Sequence, residues 1–205
     1  MQPKPMCFTV LQPYQRSQPF RKRSRESFSA AELLVVVAML AILAAVSLPL
    51  FAETFRSSRL NGAARQIAGE TRSARSLAIS RGGFYGLHSG RDPLILDPLP
   101  PNISRNSYRI EYSADGATWP AVTATTGSDP AVITNWMDLS REFTSVQVLS
   151  VQNGGGAEIG GPIFNAIGAS VDTTNTVRTV RLTLDDGSSP TKVIEVNPAG
   201  NVKIP

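Results

Sequence analysis

The stretch that decides the fold is LLVVVAMLAILAAVSLPLF, residues 33–51. All 19 residues are apolar apart from Ser47 and Pro49. As a helix the stretch is ~28 Å long, close to the hydrocarbon thickness of a bilayer. A helix buried in a soluble core keeps a polar face, and this one has none. It is expected to cross a membrane once, with lipid around it.

Upstream lie Arg21, Lys22, Arg23 and Arg25. Cytoplasmic flanks of membrane helices are rich in such residues, so the N-terminal end is expected inside and the C-terminal part across the membrane. The same cluster accounts for the basic balance of the chain, +4 overall. Residues 1–27 hold six basic groups and one acid, and the remainder holds 14 basic and 15 acidic groups. The remainder is close to neutral, which removes the charge argument for nucleic acid as a partner. A secretory signal cut after Ser47 is the alternative, but its apolar region would be shorter.

Glu32 is the odd residue at the start of the apolar run. A carboxylate costs about 2.5–3.5 kcal/mol if carried to the bilayer centre. Either it reaches the headgroups, or it has a dedicated cationic partner.

The only cysteine, Cys7, lies in the basic segment, and the only histidine is His88. Sites built on several His or Cys ligands are therefore excluded, as is any Ser-His or Cys-His pair without His88. No cofactor or metal is expected, and His88 is read as a surface residue at a strand end.

Beyond the apolar run, residues 53–81 read as a continuing helix. Leu60, Ala64, Ile67, Thr71, Ala74 and Ala78 recur at spacings of three and four and mark one face. Arg65 and Arg72 lie on the opposite face, with Arg75 at its flank, and Gly82-Gly83 ends the helix. Short alternating runs then predict strands over residues 84–88, 108–113, 131–136, 144–151, 162–165, 177–184, 192–196 and 201–204. Residues 91–101, with four prolines, and residues 125–130 read as loops. So does the glycine-rich stretch 153–161, which fits no phosphate-binding pattern. Trp119 and Trp136 are expected to be partly buried.

Around Glu32 the sequence S-F-S-A-A-E-L-L-V-V-V-A-M-L-A-I-L-A-A-V-S-L-P resembles the class III signal of type IV pilins and type II secretion pseudopilins. Phe28, Glu32 and Pro49 fall in that family's register if the cut follows Ser27, where the family normally has Gly. Further on, residues 74–79 (A-R-S-L-A-I), 164–168 (F-N-A-I-G), V-R-L-T-L and K-V-I-E-V-N-P-A-G-N-V-K-I resemble, in order, the H-type minor pseudopilins and T-type minor pilins (the GspH/FimT group). The resemblance implies an α+β fold: a long N-terminal helix, half membrane-spanning and half amphipathic, packed on a C-terminal antiparallel sheet domain. It divides the chain into a basic leader (1–27), a transmembrane helix (28–52), an amphipathic helix (53–82) and a β-rich periplasmic domain (83–205).

The same resemblance implies a structural, non-enzymatic subunit of a pseudopilus or pilus. A prepilin peptidase would cut between Ser27 and Phe28 and methylate the Phe28 amine. Glu32 would pair with a neighbouring subunit's amine during assembly. The implied partners are other pilins or pseudopilins, the peptidase, an inner-membrane assembly platform and lipid. Some T-type pilins take part in DNA uptake, so Arg65, Arg72, Arg75 and Lys203 are candidate DNA or subunit contacts. DNA is not favoured, because the Gly-Arg-x-Arg-like loop of that subgroup reads Gly200-Asn201-Val202-Lys203 here. A membrane-anchored enzyme is the remaining alternative, disfavoured by the lack of a nucleophile–base pair.

Overall fold

The computed structural model describes residues 29–92, 99–101, 103–172, 176–187 and 191–205. The leader expected over residues 1–27, Phe28, and much of the loop expected over residues 91–101 lie outside them. The chain divides into two units, Met1–Val46 and Ser47–Pro205.

Helix α1 spans Ala30–Arg81. In the first unit its side chains are exposed: Leu33, Leu34, Met39, Ile42 and Leu43 each leave more than half of their surface uncovered. The helix is long and apolar enough here to cross a membrane.

In the second unit the helix becomes one-sided. Leu60, Ala64, Ile67, Thr71, Ala74 and Ala78 are all buried, as their spacing predicts, and Ala63 and Ala68 join them. Alanines bring the helix backbone close to its neighbours. Thr71 sits in this stripe without a bare hydroxyl, because its Oγ1 donates to the Ile67 carbonyl at 2.7 Å. The helix ends where Gly82 takes a positive φ of 73° and its N–H closes on the Ala78 carbonyl.

Among the described residues the strands form two antiparallel sheets. The first has the order β3-β2-β1-β5-β6, with β1 at Phe84–Ser89, β2 at Ser107–Ser113, β3 at Met137–Asp138, β5 at Ile163–Phe164 and β6 at Ser170–Val171. The second has the order β4-β7-β8-β9, with β4 at Gln147–Asn153, β7 at Val180–Asp185, β8 at Lys192–Val196 and β9 at Val202–Lys203. A one-turn helix, α2 (Leu139–Glu142), is capped by the Asp138 carboxylate, which accepts from Ser140 N. The helix stripe shares one hydrophobic core with Tyr85, Leu87, Tyr108, Ile110 and Phe164 of the first sheet and with Val148, Leu182, Leu184, Ile194 and Val196 of the second. The α+β architecture expected from the sequence is the one observed.

Several strands differ from expectation. Residues 131–136 do not form a strand. The Ile110 N–H is taken by the Thr134 side chain at 2.8 Å, so only Val132 bridges to Glu111 and the ladder resumes at Met137. The strand expected from residue 177 begins at Val180, and Val177 is left in an isolated bridge to Val171. In β4 the register shifts between Val148 and Ser150, which lets Val148 and Val151 both face the core although they are three apart. Strand β6 and helix α2 were not expected.

One turn recurs. In the segments beginning at Asn153, Asn165 and Asn197, the asparagine carbonyl accepts from the glycine N–H three residues on. Its side-chain oxygen accepts from the backbone N–H four residues on, at Ala157, Ala169 and Asn201. Asn-x-x-Gly suits this turn because the last position carries a φ near +80°.

Candidate functional site

At the start of α1, Glu32 Oε2 accepts from Ser29 N at 3.0 Å, and Glu32 N donates to Ser29 Oγ at 3.3 Å. Ser29-Ala30-Ala31-Glu32 is thus a reciprocal capping box, S-x-x-E. It satisfies two backbone donors that an open helix end leaves bare. The S-x-x-E spacing at residues 29–32 is the sequence signal for it. Ser27 and Phe28 lie outside the described residues.

The helix arginines separate. Arg65 is exposed and lies along a shallow polar groove with Glu53, Ser57 and Asn61. Arg72 is also exposed, and one of its guanidinium nitrogens donates to the Val202 carbonyl at 3.2 Å. Arg75 is the most engaged. Its Nε donates to the Gly168 carbonyl at 3.0 Å, one terminal nitrogen to the Ala199 carbonyl at 3.1 Å, and the other to Asn201 Oδ1 at 3.3 Å. A planar guanidinium is needed to meet acceptors from two turns at once. Lys203 is exposed on β9.

The largest cluster the sequence did not announce lies on the far face of β1 and β2. Side chains alternate across a strand, so Tyr85, Leu87, Tyr108 and Ile110 take the core face while His88, Arg109 and Glu111 take the other. His88 stands directly opposite Arg109 in the ladder. His88 is not a surface residue: it is 5% exposed. Its Nδ1 lies 3.0 Å from Asp92 Oδ2, its Nε2 lies 3.8 Å from Glu111 Oε2, and the Trp119 ring packs against its ring at a tilt of 53°.

Arg109 is 1% exposed. Its Nε donates to Glu111. Its terminal nitrogens donate to the carbonyls of Ala121, Val122 and Ala124, and its Cζ lies 4.5 Å from the Trp136 ring centroid. Trp136 Nε1 in turn donates to the Val122 carbonyl. A His–Asp pair is the usual frame of a general base. Here the His88 ring packs against Trp119 and faces Glu111 of the buried ion network, and together with Arg109 it fastens residues 114–136 onto the sheet.

Two other ionisable groups are perturbed. The Tyr108 phenol is pushed up to about 12, first by burial and then by the Glu70 and Glu142 carboxylates. The Asp115 carboxyl is held well below its usual range by the N–H groups of Thr118 and Ala117 and by the hydroxyls of Ser113 and Thr118. It organises a turn, as Asx residues commonly do.

With this geometry in view, the chain is similar to proteins of the type IV pilin class. No protein-family model matches it. Among curated proteins it is similar to fimbrial protein EcpB of Eikenella corrodens, 28% identical over 88 residues, 43% of this chain and 49% of that protein. The chain thus spans about half the length of the curated relative it matches. Among solved structures it is similar to the type IV minor pilin FimU of Pseudomonas aeruginosa in two crystal forms. One is 17% identical, with 73% of this chain and 90% of that chain covered, at a TM-score of 0.43. The other is 14% identical, with 71% and 91% covered, at 0.44.

Proposed function

We propose that the chain is a minor pilin or pseudopilin, a structural subunit of a pilus or a type II secretion pseudopilus. A prepilin peptidase cuts after Ser27 and methylates the Phe28 amine. The apolar start of α1 holds the protein in the inner membrane, with residues 53–205 on the periplasmic side, until an assembly platform hands it to a filament. There Glu32 pairs with the Phe28 amine of a neighbouring subunit, and the subunit catalyses nothing. A buried carboxylate and ammonium compensate each other, whereas either one alone carries its full desolvation penalty.

One observation supports this reading above the others. An exposed apolar helix long enough to cross a bilayer carries its carboxylate, Glu32, in the first turn. Arg72 and Arg75 donate to carbonyls of the chain itself, so nothing in their geometry favours a DNA reading. The test is mass spectrometry of the membrane form. A mature chain beginning at N-methyl-Phe28 is expected. An intact leader, or a cut after Ser47, would overturn the proposal.

A further inference from the structure

A cavity of about 210 Å³ opens where the two sheets meet. Four aliphatic side chains from separate segments form its walls: Ile159, Ile163 of β5, Val171 of β6 and Val180 of β7. The backbone of Gly160-Gly161 completes it, and only glycine fits there. A Cβ on Gly161 would come within 1.7 Å of the Leu87 carbonyl oxygen.

The polar lining is one-sided in charge. His88 lines it too, and three carboxylates, Asp92, Glu158 and Asp172, face one fixed cation, Arg178. Arg178 Nε is already bonded to Asp172 at 2.9 Å, and Asp92 lies against His88. The Glu158 carboxylate is exposed and joins no ion pair among the described residues. No three acidic or histidine groups converge as a metal would require among those residues.

Apolar walls under an anionic mouth suit an aliphatic stem with a single positive end, which is how a lysine side chain buries itself. The volume is below the roughly 300–1,000 Å³ of pockets for drug-sized ligands and suits one extended side chain. We propose that this cavity receives a lysine side chain from an adjoining subunit, a contact that rests on the filament reading above. The ammonium lies against Glu158, and the stem against Ile159, Ile163 and Val180.

The test is nuclear magnetic resonance of the full chain in detergent micelles, titrated with N-acetyl-lysine methylamide. Saturable shifts of the Gly160 and Gly161 amides are expected. The neutral norleucine analogue, and the lysine probe with Glu158→Gln, should each bind about two- to fivefold more weakly, since an exposed ion pair is lost. Equal binding of norleucine, no change in Glu158→Gln, or tighter binding of N-acetyl-arginine methylamide would each overturn the assignment. Failure of the probe in a chain correctly processed at Phe28 sinks the cavity alone. Saturable binding in a chain that is never processed sinks only the filament reading.

Discussion

Arg75 Nε lies 3.0 Å from the Gly168 carbonyl oxygen, and the same guanidinium reaches the Ala199 carbonyl. One side chain on the helix thereby ties the turn after β5 to the turn before β9. With the bond to Asn201 Oδ1, three hydrogen bonds join Arg75 to segments more than 90 residues away in sequence. Arg75→Met keeps the stem and strips the donors. The loss should be about 2–3 kcal/mol, read as a lower urea midpoint for the full chain in micelles. Arg75→Lys should recover only part of it, because an ammonium cannot span acceptors from both turns.

The turns themselves supply a second test. Gly187 and Gly200 have nearly the same φ, +80° and +79°. A Cβ at Gly187 meets open space, whereas at Gly200 it would sit 1.9 Å from the Gly168 carbonyl oxygen. Gly187→Ala should therefore lose only the left-handed backbone penalty, about 1–2 kcal/mol. Gly200→Ala should lose clearly more and should also loosen the Arg75 contacts. Equal losses in denaturant titrations would show that the close approach has no energetic weight.

Arg109 holds the far face of β1 and β2. Arg109→Met would leave Glu111 buried without its cation and the Ala124 carbonyl without its donor, while Val122 keeps Trp136 Nε1 and Ala121 keeps the Ala124 N–H. Breaking one partner of a buried pair costs about 3–5 kcal/mol. The emission of Trp119 and Trp136 should shift to the red as residues 114–136 come away, and limited proteolysis should cut within that segment. If the emission and the cleavage pattern stay unchanged, Arg109 does not fasten it.

Tyr108 gives an alkaline signature. Its phenol is raised from 10.0 to about 12 in the folded chain, so between those values the folded state keeps a proton that the unfolded state releases. Its contribution to stability is complete below pH 10 and is lost as pH rises through about 12. The Tyr108 hydroxyl is buried beside the Gln66 side chain and makes no close hydrogen bond, so Tyr108→Phe should fold well. Urea midpoints taken from about pH 9 to about 11 should fall less steeply in the variant. An identical slope would place the titration elsewhere.

What the sequence made legible was periodic. The stripe from Leu60 to Ala78 repeats every three or four residues, and the outward positions of V-R-L-T-L-D alternate, so a burial rule recovers both. The buried ion cluster obeys the same alternation in β2, but there the rule misleads. Arg109 and Glu111 fall on the face that alternation assigns to water, and the cover comes from residues 114–136, which have no period. The same segment misled the strand assignment, because a hydrogen bond from Ile110 N to the Thr134 side chain, rather than to a backbone carbonyl, leaves no pattern in the residues. The arginine contacts were hidden for another reason: helical spacing says which face Arg75 occupies, not what lies opposite.

Glu32 carries two roles that substitutions can separate. In its own chain the carboxylate caps the Ser29 N–H. In the proposed filament it compensates a neighbour's amine. Gln also serves at that position of a capping box, so Glu32→Gln should keep the helix start while losing the charge. Ser29→Ala should do the reverse, weakening the start by about 1 kcal/mol while the carboxylate survives. Both variants should insert in the membrane and be processed at Phe28, as judged by mass spectrometry. If charge pairing governs assembly, Glu32→Gln should be missing from sheared filaments and Ser29→Ala present in them. The opposite pattern would make Glu32 a helix cap and no more.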